Sequence, residues 1–220
     1  MPDTATPTLK LVTDIATVGA AGWDACAGPD NPFLSHAFLA ALEASGSASA
    51  KTGWLPQHLV IEDGEGRPVG IVPAYLKSHS YGEYVFDHGW ARAFAQAGGR
   101  YYPKLQVSVP FTPATGPRLL VRADADHASV RAALIAGLEA LAGARKISSI
   151  HATFLLPEDR AAFEAEGWMT RIGIQYHWSN GGYATFDDFL AALASRKRKA
   201  IRKERQEVRD AGVELVALTG

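Results

Sequence analysis

Apolar positions in this chain recur either every second residue or every three to four, and the switches between those spacings mark its elements. "LKLV" at residues 9–12 reads as a short strand, followed by helical spacing from Val18 to Cys26 and from Ser35 to Ala44. Ser35 suits an N-cap, and Glu43-Ala44-Ser45-Gly46 suits a stop. "HLVIED" at 58–63 and "PVGIVPAYLK" at 68–77 are β-rich runs joined by "GEGR", a hairpin signal. "YYPKLQVSV" at 101–109 and "RLLV" at 118–121 are strand-like runs. The connector between them, "PFTPATGP", carries three prolines and a glycine in eight residues and so excludes a helix interior or a central strand.

Beyond Asp126, apolar Val130, Leu134, Leu138 and Leu141 recur at helical spacing. "KISSIHATFL" then reads as a strand, "PEDRAAFEAEG" as a helix with Pro157 near its start, and "WMTRIGIQYHW" at 168–178 as a long strand. Thr185 and Asp188 predict a capping box, and Gly212 a stop, so the spacing predicts one helix over 185–212, about 40 Å long. "VELVAL" at 213–218 reads as a further strand. The order implies an α/β (α+β) chain with a mixed sheet carrying helices on both faces, the element order of a GNAT-type acyltransferase fold.

Composition narrows this picture. With 220 residues, 47% apolar and 20% charged, the chain has the make-up of an ordinary globular protein, and no apolar run approaches the roughly 20 residues that span a bilayer. The N-terminus has no basic segment followed by an apolar stretch, so the cytoplasm is the expected location. The single cysteine, Cys26, excludes an internal disulfide and every paired-cysteine metal or redox motif. The net charge of -1 conceals an asymmetry, because residues 196–205, "RKRKAIRKER", hold seven positive charges and one negative and leave the rest of the chain at -7. An acidic body with one basic segment points to local anion binding.

Candidate chemistry concentrates in three places. "SYGEYVFDHGW" at 80–90 combines aromatics, acids and a histidine. His79, Glu83, Asp87 and His88 are metal-capable types, but their spacing suits a helix face while Gly82, Gly89 and "YVF" disfavour a helix, so no metal site is expected. The stretch reads instead as a strand end turning into a cleft wall, whose Tyr and Trp side chains offer stacking surfaces. In "IQYHWSN", Gln175, His177 and Ser179 share one strand face, from which His177 could act as a general base. On the basic helix, Arg198, Arg202, Arg205 and Arg209 fall within an arc of about 60°, and guanidinium forks suit phosphates. No G-x-S-x-G elbow, Walker loop or dinucleotide fingerprint is present; Gly64-x-Gly66-x-x-x-Gly70 lies between two strands.

"FLSHAFLAALEASGS", "GWLPQHLVI", "PAYLKSHSYGEYVFDHGWA", "YYPKLQVSVPFTPATGPRLL" and "QYHWSNGGYATFDDFLAALASRKRKAIRKER" together resemble the Fem-like, GNAT-related bacterial proteins of peptidoglycan biosynthesis or recognition. The resemblance runs from about residue 30 to 210. It implies two GNAT-like halves with a cleft between them, and transfer of an acyl or aminoacyl group to an amine on a cell-wall precursor. It also implies precursor-phosphate binding by Arg198, Ile201, Arg202 and Lys203, which match the family's R-x-x-I-R-K helix. Residues 1–184 would then form the first half, 185–212 a junction helix, and 213–220 the first strand of a second half; the chain is either a fragment or a single-half protein.

The pyrophosphate-binding glycine loop of coenzyme A-dependent GNAT proteins is replaced by "PFTPATGP", whose prolines offer no N–H. No tight cofactor binding by this half is expected, with acyl-CoA or aminoacyl-tRNA as donor to the complete protein. The expected roles are proton acceptance by Asp87 or His177, substrate contacts by Tyr84, Trp90 and Tyr102, and phosphate contacts by Lys104, Arg198 and Arg202. The alternatives are a non-catalytic module that binds precursor or glycan, and nucleic-acid (tRNA) binding through the basic helix.

Overall fold

The computed structural model describes residues 8–174 and 176–218, which divide into two compact units, one ending at Gly173 and the other beginning at Ile174. The first unit contains strands β1 (Thr8–Val12), β2 (Trp54–Pro56), β3 (His58–Glu62), β4 (Pro68–Val72), β5 (Ala74–Lys77), β6 (Lys104–Val107), β7 (Leu120–Val121) and β8 (Ile150–Ala152). Its helices are α1 (Ala20–Ala27), α2 (His36–Ala44), α3 (His88–Gln96), α4 (His127–Arg145) and α5 (Pro157–Ala165); the second unit holds α6 (Phe186–Ala192) and α7 (Ser195–Asp210).

The chain is α/β as its spacing predicts, but it forms two four-stranded sheets where one mixed sheet was expected. The first has the order β1-β3-β4-β7 and is antiparallel, while the second, β2-β5-β6-β8, is mixed because β6 and β8 run parallel. The cause lies at Gln57 and Pro73. The two β-rich runs form one long hairpin that is interrupted opposite these residues, so β3 and β4 join one sheet while β2 and β5 join the other. Pro73 has no N–H to contribute to a ladder. The Ala74 N–H donates to Nδ1 of the fully buried His58 at 3.2 Å, and the other ring nitrogen of His58 lies 2.8 Å from Glu43 Oε1. With Nδ1 accepting, Nε2 carries the proton and donates to the carboxylate. Glu43 also accepts the Ile15 N–H, so one carboxylate ties the N-terminal segment and α2 to the bend.

The core lies between the sheets and the helices. Leu59, Ile61, Val72, Ala74, Leu105 and Val107 pack with Leu134, Ile135 and Leu138 of α4 and Phe163 of α5. Gly70 permits this approach, since a Cβ there would stand 2.4 Å from Val130 Cγ1. Trp23, Leu34, Leu39, Val60 and Ile71 belong to a second cluster under α1 and α2, and Ala48, Trp54 and Tyr75 form a third. Ser35 caps α2 and Asp126 caps α4 through side-chain oxygens, and Pro157 opens α5.

Four other expectations give way. "SYGEYVFDHGW" is not a strand end: residues 84–87 are irregular, and α3 begins at His88 with Gly89 in its first turn, where the backbone N–H groups need no partners inside the helix. "WMTRIGIQYHW" pairs with no strand among the described residues, and Gln175 lies outside them; alternation reports which face a side chain takes, not whether a neighbour exists. The single helix over 185–212 is two, because Leu193 and Ala194 take extended ψ values of 151° and 142°. Both are helix-forming residues that give no local signal of a break. "VELVAL" at 213–218 pairs with no strand among the described residues, and residues 219–220 lie outside them.

Candidate functional site

The second sheet has two unlike faces. In β6, Leu105 and Val107 point into the core, while Lys104, Gln106 and then Ser108 point to the other side, as the alternation in "KLQVSV" requires. Cross-strand pairing extends that polar face, because Tyr75 stands opposite Gln106, Lys77 opposite Lys104, Trp54 opposite Lys77, and His151 beside Gln106. Lys77, Lys104 and Gln106 are fully buried, which for lysine demands explanation.

Partners for both lysines come from the segment that leaves β5. Lys104 Nζ donates to Ser80 Oγ at 2.9 Å, Glu83 Oε2 at 2.7 Å and Asp87 Oδ2 at 2.5 Å. Ser80 Oγ lies 2.7 Å from the Tyr102 hydroxyl, and the Tyr101 hydroxyl donates to Asp87 Oδ2 at 2.8 Å. Lys77 Nζ sits 3.5 Å above the Trp54 ring and donates to the Tyr81 carbonyl at 3.2 Å. Residues 78–103 thus leave the sheet from one buried lysine and return to it at the other.

The two carboxylates on Lys104 are driven apart in acidity. Burial pushes the Glu83 carboxyl above its ordinary range, against the pull of Lys104. Burial opposes ionisation of Asp87 too, yet hydrogen bonds from Lys104, Ser80 and Tyr101 prevail and hold it at about 2. Burial, opposed by Glu83 and reinforced by Lys104, lowers the Lys77 ammonium to about 7. Burial and then Lys104 lower the His151 imidazole to about 4.

The face also carries polar atoms that have no partner. Among the described residues, the buried side-chain atoms lacking a hydrogen bond are Trp54 Nε1, Tyr75 OH, Glu83 Oε1, Asp87 Oδ1, Gln106 Oε1, Ser108 Oγ, Arg131 Nε and Asp159 Oδ1. All but the last two belong to this face or to the carboxylates that close over it. Buried orphans normally cost about 1–3 kcal/mol each, so their grouping makes this face the candidate site. The margin is strained as well: Tyr84, Phe111 and Phe154 have φ of 56°, 58° and 56°, a region that aromatic residues rarely occupy. The Phe111 N–H donates to the Gly82 carbonyl at 3.1 Å, and its ring lies 5.5 Å from that of Trp54. Gly82 is required there, because it has φ of 79° and a Cβ would stand 2.6 Å from the Phe111 ring.

Asp87, Tyr102 and Lys104 come together at this face. Lys104 cannot hold a phosphate as it stands, since all three of its donors are engaged and it is fully buried. Asp87, ionised down to about pH 2 and paired with Lys104, is too weak a base to take a proton at neutral pH. Tyr84 and Trp90 are on the surface, 54% and 63% exposed, with the Arg171 guanidinium 5.9 Å from the Trp90 ring. His177, Arg198 and Arg202 belong to the second unit, and His177 is exposed there. Arg198 Nη1 donates to the Ala191 carbonyl at 3.1 Å, and Arg202 lies 3.5 Å from Asp187. Glu83, Lys77, Tyr75, Gln106 and Ser108 are absent from the expected site. The alternation of "KLQVSV" carries a signal for Gln106 and Ser108, because a lysine, a glutamine and a serine on one face of an otherwise apolar strand imply a buried polar surface.

A family model, FemAB_like, described as peptidoglycan biosynthesis/recognition, matches residues 14–220, and the chain belongs to that family. No curated protein matches it. Among solved structures, the aminoglycoside antibiotic 6'-N-acetyltransferase of Acinetobacter baumannii is similar at 13% identity, with 80% of this chain and 100% of that chain covered and a TM-score of 0.47. A Trypanosoma brucei acetyltransferase is similar at 12% identity over the same shares, with a TM-score of 0.46. Among the described residues, no helix is long and apolar enough to cross a membrane.

Proposed function

We propose that this chain transfers an acyl or aminoacyl group to the amine of a cell-wall precursor, and that the polar face of the second sheet holds the reacting groups. The observation that supports this reading is the convergence of unpartnered buried polar atoms on that face. Membership of a peptidoglycan biosynthesis/recognition family suggests the substrate class.

Amide formation needs an amine held against an activated carbonyl and a group that removes the amine proton. Glu83 suits that task. Lys104 fixes its Oε2, its Oε1 is unoccupied, and burial raises its proton affinity, while Asp87 four residues on supplies the compensating charge. The amine nitrogen would bond to the acyl carbon, and its proton would pass to Glu83 Oε1. The carbonyl carbon would then release the donor's thiolate or alkoxide, to which Glu83 returns the proton. An acyl-CoA thioester and an aminoacyl-tRNA ester are the two donor classes with such a leaving group. The N–H of Trp54 and the hydroxyls of Tyr75 and Ser108 are the unengaged donors for the substrate carbonyl. Glu83 is 3% exposed, so substrate would enter as the segment around it lifts from the sheet.

The test is to incubate the protein with a nucleotide-linked muropeptide and each donor class, and to follow amide product by mass spectrometry. Product is expected with one donor, and Glu83→Gln should slow it about 100-fold or more. Absence of product with both donors, or a Glu83→Gln variant as fast as the parent, overturns the reading.

A further inference from the structure

Residues 78–103 present to solvent a surface that the reading above does not use. Tyr81, Phe86, Trp90 and Phe94 are 70%, 79%, 63% and 45% exposed, and α3 buries none of its residues. Trp90 and Phe94, four apart, share one side of α3, while His88, Arg92 and Gln96 share the other. The Phe94 ring lies 6.0 Å from that of Tyr101. The Tyr81 ring lies 6.0 Å from that of His88, while Arg171 donates to the Phe86 carbonyl at 3.3 Å and lies 5.9 Å from the Trp90 ring.

Charge on this surface has one sign. The two acids of the segment, Glu83 and Asp87, are turned inward onto Lys104, so its exposed formal charges are Arg92 and Arg100, with Arg171 added from outside the segment. Exposed Trp, Phe and Tyr around a short amphipathic helix, rimmed by arginine and stripped of exposed acid, is the chemistry of a membrane–water interface. An acidic soluble partner would satisfy the arginines, but it would leave Phe86 and Phe94 in water.

We propose that residues 78–103 dock on the surface of an anionic phospholipid bilayer, with Phe86, Trp90 and Phe94 entering the interface and Arg92, Arg100 and Arg171 meeting lipid phosphates. Such docking is peripheral, with no segment crossing the bilayer. It is independent of which group, if any, is transferred at the polar face.

The experiment is sedimentation of the full chain with vesicles of phosphatidylcholine alone or mixed with phosphatidylglycerol. Binding is expected to the mixed vesicles and to weaken with added salt. Phe86→Ser with Phe94→Ser should reduce it by about tenfold or more, since each side chain leaves an apolar environment. Phe86 is 79% exposed but Phe94 is half-buried against Gly99 and Tyr101, so an unchanged denaturation midpoint checks that the variant is intact. A companion variant, Arg202→Ser with Arg205→Ser in α7, is expected to keep the binding. The proposal is overturned if no vesicles are bound, or if the aromatic variant binds as well as the parent. It is equally overturned if binding is lost with the α7 substitutions alone, or if the aromatic variant instead abolishes self-association or the binding of soluble glycan fragments.

Discussion

Lys77 and Lys104 face each other across β5 and β6, both fully buried, and each is neutralised differently: Lys77 lies on the Trp54 ring, Lys104 between two carboxylates. Two buried amines side by side would repel strongly in a low-dielectric interior. The arrangement persists because residues 78–87 bring Glu83 and Asp87 to one lysine while burial lowers the proton affinity of the other. The same contacts fix the segment over the polar face, so the groups that define the site also close it.

Removing the charge of Lys104 leaves two buried acids without their ion-pair partner. Lys104→Met is therefore expected to lower stability by about 3–5 kcal/mol, read as a shift of the urea midpoint at pH 7. The triple variant Lys104→Met, Glu83→Gln, Asp87→Asn should recover most of that loss, because no unpaired charge remains. A triple variant no more stable than Lys104→Met would show that the ion pairs are not what the segment depends on.

Ser108 gives the opposite expectation. Its hydroxyl is buried without a partner, so Ser108→Ala should leave stability unchanged or raise it by up to about 1 kcal/mol. If the face binds substrate, the same variant weakens affinity for the precursor, measured by calorimetry. Clear destabilisation by Ser108→Ala would mean that the hydroxyl has a structural partner.

The bend that separates the two sheets rests on His58. His58→Leu removes the acceptor for the Ala74 N–H and the donor to Glu43, and an expected loss of about 2–4 kcal/mol follows from two buried groups left unpaired. Hydrogen exchange checks the location: the Ala74 amide should exchange faster than its neighbours Val72 and Leu76. Uniform acceleration across both sheets would place the effect elsewhere.

Much of this was legible in the sequence. The hairpin at 58–77, the helix over α4, the Ser35 cap and the Thr185–Asp188 capping box all arise from local spacing and local hydrogen bonds. The split into two sheets was not, since Pro73 shows where a ladder fails but not that β6 and β7 pair with its two halves. Lys104 is expected from the sequence to contact phosphate, and its partners at Ser80, Glu83 and Asp87 are far enough along the chain that no local pattern links them. Orphaned atoms such as Gln106 Oε1 emerge only once neighbouring strands are in register.

Lys77 supplies a dependence on pH. Its ammonium falls from the ordinary lysine value near 10.5 to about 7 in the folded protein, first because of burial. Between those values the unfolded chain binds a proton that the folded protein does not, so folding stability rises with pH across that window. The penalty for burying Lys77 is fully present below about pH 7 and is relieved as pH climbs towards the unfolded value. Lys77→Met cannot titrate, so the stability of the parent minus that of the variant isolates the effect. That difference should climb between pH 7.5 and 10 by at most about 1.4 kcal/mol per unit, measured by urea denaturation at fixed ionic strength. A flat difference would mean that Lys77 keeps its proton inside the sheet, held by Glu83 and the Trp54 ring against the effect of burial.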